Sequence, residues 1–302
     1  MSYFAPGCRS ALREAGLRGF WSGYFATRAA PLGRVDAGPV TAAFFNFHRA
    51  MVARAVPGCW DAVAPETLCR VRAIAAAEAL GEVCRVEARS ALLASLPLLR
   101  RAVVACDGAG RIMAGANRSL WPRIATALGT GGLGEVWQAC TTLREHRGDG
   151  HVAALVAHGI SGLEAHVLAA GTKAIPVELL RDNRGWSEAD WDAATAVLTG
   201  RGLLHADGRV TDTGRTLHGE VEELTDELAE PAYAGLSDQA LEELHGVLTG
   251  AAADVAASGV VPFPNPMGSP RPTERYAGRG GGQPGRSASS LHSLRDDTIW
   301  PA

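Results

Sequence analysis

Nine residues, Leu143-Arg144-Glu145-His146-Arg147-Gly148-Asp149-Gly150-His151, constrain this chain more than any other stretch. Six ionisable or imidazole side chains fall within eight positions, interrupted by two glycines and flanked by apolar runs at Val136-Trp137 and Val152 to Val156. A plain surface helix rarely concentrates two His, two Arg and two carboxylates in this way. Leu133 to His158 reads as one long helix that carries the run in its second half and ends at Gly159. Ser161 then caps a following helix, Gly162 to Ala170.

At about 100° per residue, Arg144, Arg147, His151 and His158 fall within about 60° of one another. Trp137 and Cys140 join that stripe if the helix is continuous. Glu145, His146 and Asp149 fall on the other side. The stripe is the expected site. Arg144 and Arg147 suit a carboxylate or phosphate, with Trp137 and His158 as further substrate contacts. His151 changes charge near neutral pH and is the candidate acid or base. Glu145, His146 and Asp149 form a second polar cluster available to catalysis, and His146 and Asp149 are close enough in sequence to touch. Gly148 and Gly150 cost the helix about 1 kcal/mol each relative to Ala, which points to close approach by a ligand or another backbone. Arginines pairing with acids of a neighbouring helix, and glycines that let helices cross, explain the same residues without a ligand. His146 and Asp149 lack a third metal ligand at a known spacing, so no metal is expected.

The first 130 residues read as an Ala-rich helical bundle. Asp36-Ala37-Gly38-Pro39 opens a helix, and the run Val40 to Val56 carries Phe44, Phe45, Phe47 and Met51 up to Pro57-Gly58. Another helix opens at Pro65-Glu66. A third, Val86 to Ala105, should kink at Pro97. Gly129 to Gly134 is a flexible break. Residues 133 to 258 form the second unit, and from 262 to 302 Pro, Gly, Ser and Arg dominate, the composition of a disordered tail. Asn265-Pro266-Met267-Gly268 and Trp300 are its candidate docking points.

Residues 176 to 230 follow an order of their own. Helix Pro176 to Asp182 is followed by the turn Arg184-Gly185-Trp186, then a helix capped by Ser187 and running through Trp191 to Leu198. Asp207-Gly208 between two short apolar runs predicts a type I′ hairpin, and Thr213-Gly214 leads into an acidic helix ending near Glu230. Helix, helix, two-stranded wing, helix is the order of a winged helix-turn-helix. The fold class expected is therefore mainly α: a helical bundle plus a winged-helix-like unit with a small β-hairpin wing. A last helix, Leu236 to Ala257, returns to the bundle.

The string Arg201-Gly202-Leu203-Leu204, followed by Asp207-Gly208-Arg209-Val210-Thr211-Asp212-Thr213-Gly214-Arg215, resembles the wing region of MarR-type regulators. Arg28-Ala29-Ala30-Pro31-Leu32-Gly33, Phe44-Phe45-Asn46-Phe47 and the charged run together resemble the SalK-like helix-turn-helix family of actinobacteria, over about residues 20 to 268. His48 and Arg49 depart from the more turn-like sequence of that pattern. The resemblance implies a winged-helix second half and a setting beside natural-product genes. It also implies a homodimer through terminal helices, and it transfers no catalytic residue.

The net charge of −3 over 302 residues gives no general pull toward a polyanion. The helix before the wing holds Glu188, Asp190 and Asp192 and no Lys or Arg, which opposes the phosphate contacts that supply most DNA affinity. Arg181 and Arg184 are the basic groups that remain in reach of a backbone. Six cysteines without C-x-x-C or zinc spacing read as small buried hydrophobes of a reducing compartment. No apolar signal segment and no stretch of about 18 uncharged apolar residues appear, so the expected location is cytoplasmic. G-x-S-x-G, P-loop and G-x-G-x-x-G motifs are absent from the sequence, and no cofactor is expected. Two functions follow from the residues. One is a small-molecule-binding protein or biosynthetic enzyme working by acid–base chemistry on an anionic or polar substrate, at a site between bundle and charged helix roofed by Trp137, Tyr24 and Phe47. The alternative is a MarR-like regulator that binds DNA.

Overall fold

The computed structural model describes residues 1–127, 132–173 and 175–263, together with Pro272. Most of the expected tail, including Asn265-Pro266-Met267-Gly268 and Trp300, lies outside the described residues, as do residues 128–131 of the glycine break.

Helices α1 (Pro6–Glu14), α2 (Phe20–Ala29), α3 (Ala37–Ala43), α4 (Arg49–Ala53) and α5 (Cys59–Ala62) build the N-terminal layer. The run Val40 to Val56 is broken rather than continuous. Phe44 leaves the helical region, and His48 caps α4 by accepting the Ala50 N–H. The bend buries both Phe44 and Phe47 in the core that holds Phe25 and Trp60.

Next come α6 (Pro65–Val83), α7 (Val86–Ala94), α8 (Leu96–Ala105) and α9 (Ile112–Ala127). The kink expected at Pro97 is a full break at Ser95. Pro97 lacks an N–H and sits in the first turn of α8, where none is needed. The long α10 (Leu133–Ala157) is continuous. Its first half gives Val136, Ala139 and Leu143 to a core shared with α7, α8 and α15 (Asp238–Ala257). Its second half gives Ala154 and Leu155 to a separate core.

That separate core belongs to α11 (Gly162–Lys173), α12 (Val177–Asp182), α13 (Glu188–Gly200) and α14 (Asp212–Ala229). Local chemistry sets their ends. Ser161 and Glu164 form a reciprocal cap on α11, Ser187 and Asp190 do the same on α13, and Thr211 caps α14 through the Gly214 N–H. The wing is reduced. Among the described residues there is no strand, and one antiparallel bridge pairs Leu204 with Val210. The loop is not the two-residue type I′ turn either. His205 N–H donates to the Arg209 carbonyl and Gly208 N–H to the His205 carbonyl, with Gly208 at φ +81°. This is the three-residue loop with a left-handed glycine.

No single helix among the described residues is long and apolar enough to cross a membrane. Five of the six free cysteines are buried and Cys140 is half-buried. Burial pushes the thiols of Cys8, Cys59 and Cys106 up to about 11 and that of Cys140 to about 12, which removes them as nucleophiles at neutral pH.

A buried arginine chamber between bundle and charged helix

The charged run divides among three directions around α10. Arg147, His151 and His158 turn toward α14. Arg147 donates to Glu222 at 3.2 Å and Asp226 at 3.1 Å. His151 Nδ1 lies 2.9 Å from the Thr225 hydroxyl, and burial, ahead of its charged neighbours, lowers its pKa to about 4. His158 bonds the Ala154 carbonyl and has Glu220 at 3.9 Å. The acidic helix thus meets the cationic stripe, the arrangement in which arginines serve helix packing.

His146 and Asp149 face α9. Burial, then Arg111, brings His146 down to about 4. Asp149 accepts the Ala114 N–H at 2.8 Å, at the start of α9. Burial outweighs that bond and raises its carboxyl to about 6. No hydrogen bond joins His146 to Asp149 among the described residues. The two glycines differ. A Cβ at Gly150 would come within 2.8 Å of Arg111 and 3.2 Å of Leu228, whereas one at Gly148 would meet only the Glu145 carboxylate at 3.9 Å. Gly150 is where α14 and Arg111 cross α10. Arg111 fastens the crossing by donating to the carbonyls of His146 and Leu228.

Arg144, Glu145 and Trp137 face the N-terminal layer, and the most concentrated chemistry of the molecule lies there. Arg28 of α2 grips Glu145 with two bonds, 3.1 and 3.0 Å, and Arg144 adds a third at 2.7 Å. Burial opposes the Glu145 charge, but the two guanidinium groups hold its carboxyl down to about 2. Arg28 also donates to the Tyr24 hydroxyl and lies over the Phe44 ring at 4.3 Å. Burial raises the Tyr24 phenol, yet Arg28, Arg144 and Arg184 outweigh it and the net shift is downward.

Two further arginines enter from other elements. Arg72 of α6 donates to the Thr27 carbonyl, Asn117 and Gln138 and faces the Trp137 ring. Arg184, in the turn between α12 and α13, lies over Phe47 at 4.6 Å. Burial, with Arg28 and Arg144 nearby, lowers it to about 10. Arg72 and Arg184 are 7% and 5% exposed, and the Nε of each has no hydrogen-bond partner. Among the described residues neither makes an ion pair. Such orphaned donors are costly, and the region as a whole carries more guanidinium than carboxylate.

Arg72, Arg28, Glu145, Trp137, Thr141 and Tyr3 line a cavity of about 20 Å³, enough for a water-sized group. Of the three side chains expected as a roof, Trp137 lines this cavity, whereas Tyr24 and Phe47 are not in its lining. Tyr3, Arg28, Arg72 and Arg184 are not legible as site residues, because they come from four distant segments and no spacing connects them. The one local hint is the Arg28-Ala29-Ala30-Pro31 string. No group of three or more metal-ligating side chains is found among the described residues.

Helix α12, a turn through Gly185 and α13 follow one another in helix-turn-helix order. A family described as "Helix-turn-helix family" matches residues 1–262, and the chain belongs to that family. No curated protein and no solved structure matches it.

Proposed function

We propose that this helix-turn-helix protein binds an anionic small molecule in the arginine chamber. The observation that carries the reading is Arg72: nine-tenths buried, with an Nε donor that has no protein acceptor, in a side chain that lines a small cavity together with Arg28. A carboxylate or phosphate oxygen is the acceptor such an edge lacks. Glu145 holds Arg28 and Arg144 in place, and Trp137 backs Arg72. Arg147, His151, His146, Asp149 and His158 support this site from the far faces of α10, and ligand binding is better supported than acid–base turnover. The finer kinship, to SalK-like proteins with a MarR-like second half, is proposed on the sequence strings.

Hexanoate and inorganic phosphate titrated calorimetrically against the native protein and Arg144→Gln test this. Binding of at least one, weakened about tenfold or more by the substitution with circular dichroism unchanged, is expected. An absence of heat with the native protein overturns the reading.

Family membership favours a second reading, a DNA-binding regulator. The outward face of α13 opposes it: Glu188, Ala189, Asp192, Ala193 and Ala196 are exposed there. Nearby Arg181, Arg209 and Arg215 each pair with an adjacent acid, and Arg201 donates to the carbonyls of His158 and Gly159. Donors for base edges are missing from this face. Electrophoretic mobility shifts with upstream DNA at two salt concentrations test it. Competitor-resistant binding would make DNA the partner.

A further inference from the structure

A groove lies between α1 and α2, away from the charged helix. It holds about 80 Å³, against about 20 Å³ in the arginine chamber. At about 10–15 Å³ for each water-sized group, it has room for about six of them. Leu12, Leu17, Phe20 and Tyr24 give it an apolar floor. The Phe20 and Tyr24 rings are nearly parallel, 19° between planes and 6.4 Å between centroids. Two glycines leave the α2 side bare. Gly19 precedes the helix with nothing within 4 Å of an added Cβ, and a Cβ at Gly23, one turn on, would press Leu12 Cδ1 at 3.0 Å. Tyr3 and Leu12 are walls of both cavities, so groove and chamber back onto one another.

Charge enters the groove with one sign. Exposed Arg9 and Arg13 line it, about 40° apart around α1, whereas Glu14 lies about 140° from Arg9. No carboxylate is among its described lining residues. The Arg9 side chain makes no hydrogen bond or ion pair among the described residues, and Arg13 donates to the Ser10 hydroxyl at 3.0 Å. Residues 1–28 hold four arginines against one acid, Glu14. A cation would be repelled here, and a neutral molecule would leave the guanidinium groups unused. We propose that this groove binds a small carboxylic acid with a single ring-sized apolar body, the body on the Leu12, Phe20 and Tyr24 floor and the carboxylate on Arg9 and Arg13. The site uses other arginines than the chamber and does not depend on the chamber being an anion site.

Cyclohexylacetate, titrated calorimetrically into the native protein at low and high salt, is the probe. Saturable binding with a Kd of about 1 mM or tighter is expected, weaker at high salt because the arginines are exposed. Acetate, which lacks the body, and cyclohexylacetamide, which lacks the charge, should each bind at least about tenfold more weakly. The double variant Arg9→Gln/Arg13→Gln should weaken cyclohexylacetate about tenfold, with circular dichroism unchanged. No saturable binding to the native protein overturns the proposal. Equal binding of acetate overturns the apolar body. Equal binding of the amide, or undiminished binding by the double variant, overturns the role of Arg9 and Arg13. Binding lost in Arg144→Gln but intact in Arg9→Gln/Arg13→Gln places the acid in the chamber and overturns the groove.

Discussion

Glu145 makes three hydrogen bonds to two arginines in the interior, and its removal leaves two largely buried guanidinium groups without their shared carboxylate. Glu145→Gln should therefore cost about 3–5 kcal/mol in urea unfolding at pH 7. The carboxyl is held at about 2, below its ordinary 4.5, so its contribution is complete above about pH 4.5 and fades as pH falls toward 2. The gap between native protein and variant should close over the same window. Asp149 behaves oppositely. Its carboxyl is raised from 3.8 to about 6, so stability present below pH 3.8 is lost as pH rises through 6. Asp149→Asn keeps an acceptor for the Ala114 N–H and avoids the buried charge. It should raise stability at pH 7.5 by about 1–2 kcal/mol and remove a proton-linked slope between pH 4 and 6, both readable from urea curves at several pH values.

At the level of elements, Gly148 and Gly150 sit two residues apart on one helix and call for opposite outcomes. Gly148→Ala adds a methyl into open space and should stabilise by about 0.5–1 kcal/mol. Gly150→Val would drive into Arg111 and Leu228 and should cost about 1–3 kcal/mol. Thermal melts of the two variants check the pair. Helix ends set by nearest neighbours are legible in the sequence: Ser161, Ser187 and the Thr211-Asp212-Thr213-Gly214 start act within one turn. Breaks decided by packing are not. The bend at Phe44–Phe47 lies where two rings meet a core built by α2, α5 and α6, elements outside the run itself. The expected wing has no strand among the described residues, and its loop is one residue longer than the Asp-Gly pair implied. Long α10 was legible, but the way its charges divide depends on which helices flank it. The Arg28–Glu145 pair joins residues 117 positions apart, a relation no local pattern encodes.

At the scale of the whole molecule, the helix-turn-helix is tied to the bundle by backbone contacts rather than by a linker. Trp186 donates to the Asn46 carbonyl, the His48 N–H to the Arg184 carbonyl, and Gly162 has no room for a side chain against Phe45. Gly162→Ala should accordingly be among the most damaging single-methyl additions in the chain, lowering the melting temperature by several degrees. Charge is distributed just as unevenly: α13 turns carboxylates outward while Arg28, Arg72, Arg144 and Arg184 lie largely buried. Glu188→Lys/Asp192→Lys should strengthen non-specific DNA retention and steepen its salt dependence, read by filter binding across a salt series, with little change in thermal stability.

The 25 residues of α10 make a rod about 37 Å long at 1.5 Å per residue. One end carries a wall of the arginine chamber and the other is embedded in the helix-turn-helix core. The helix is unbroken between them, so the chamber wall and the core of α11 to α14 share one element with no hinge in between.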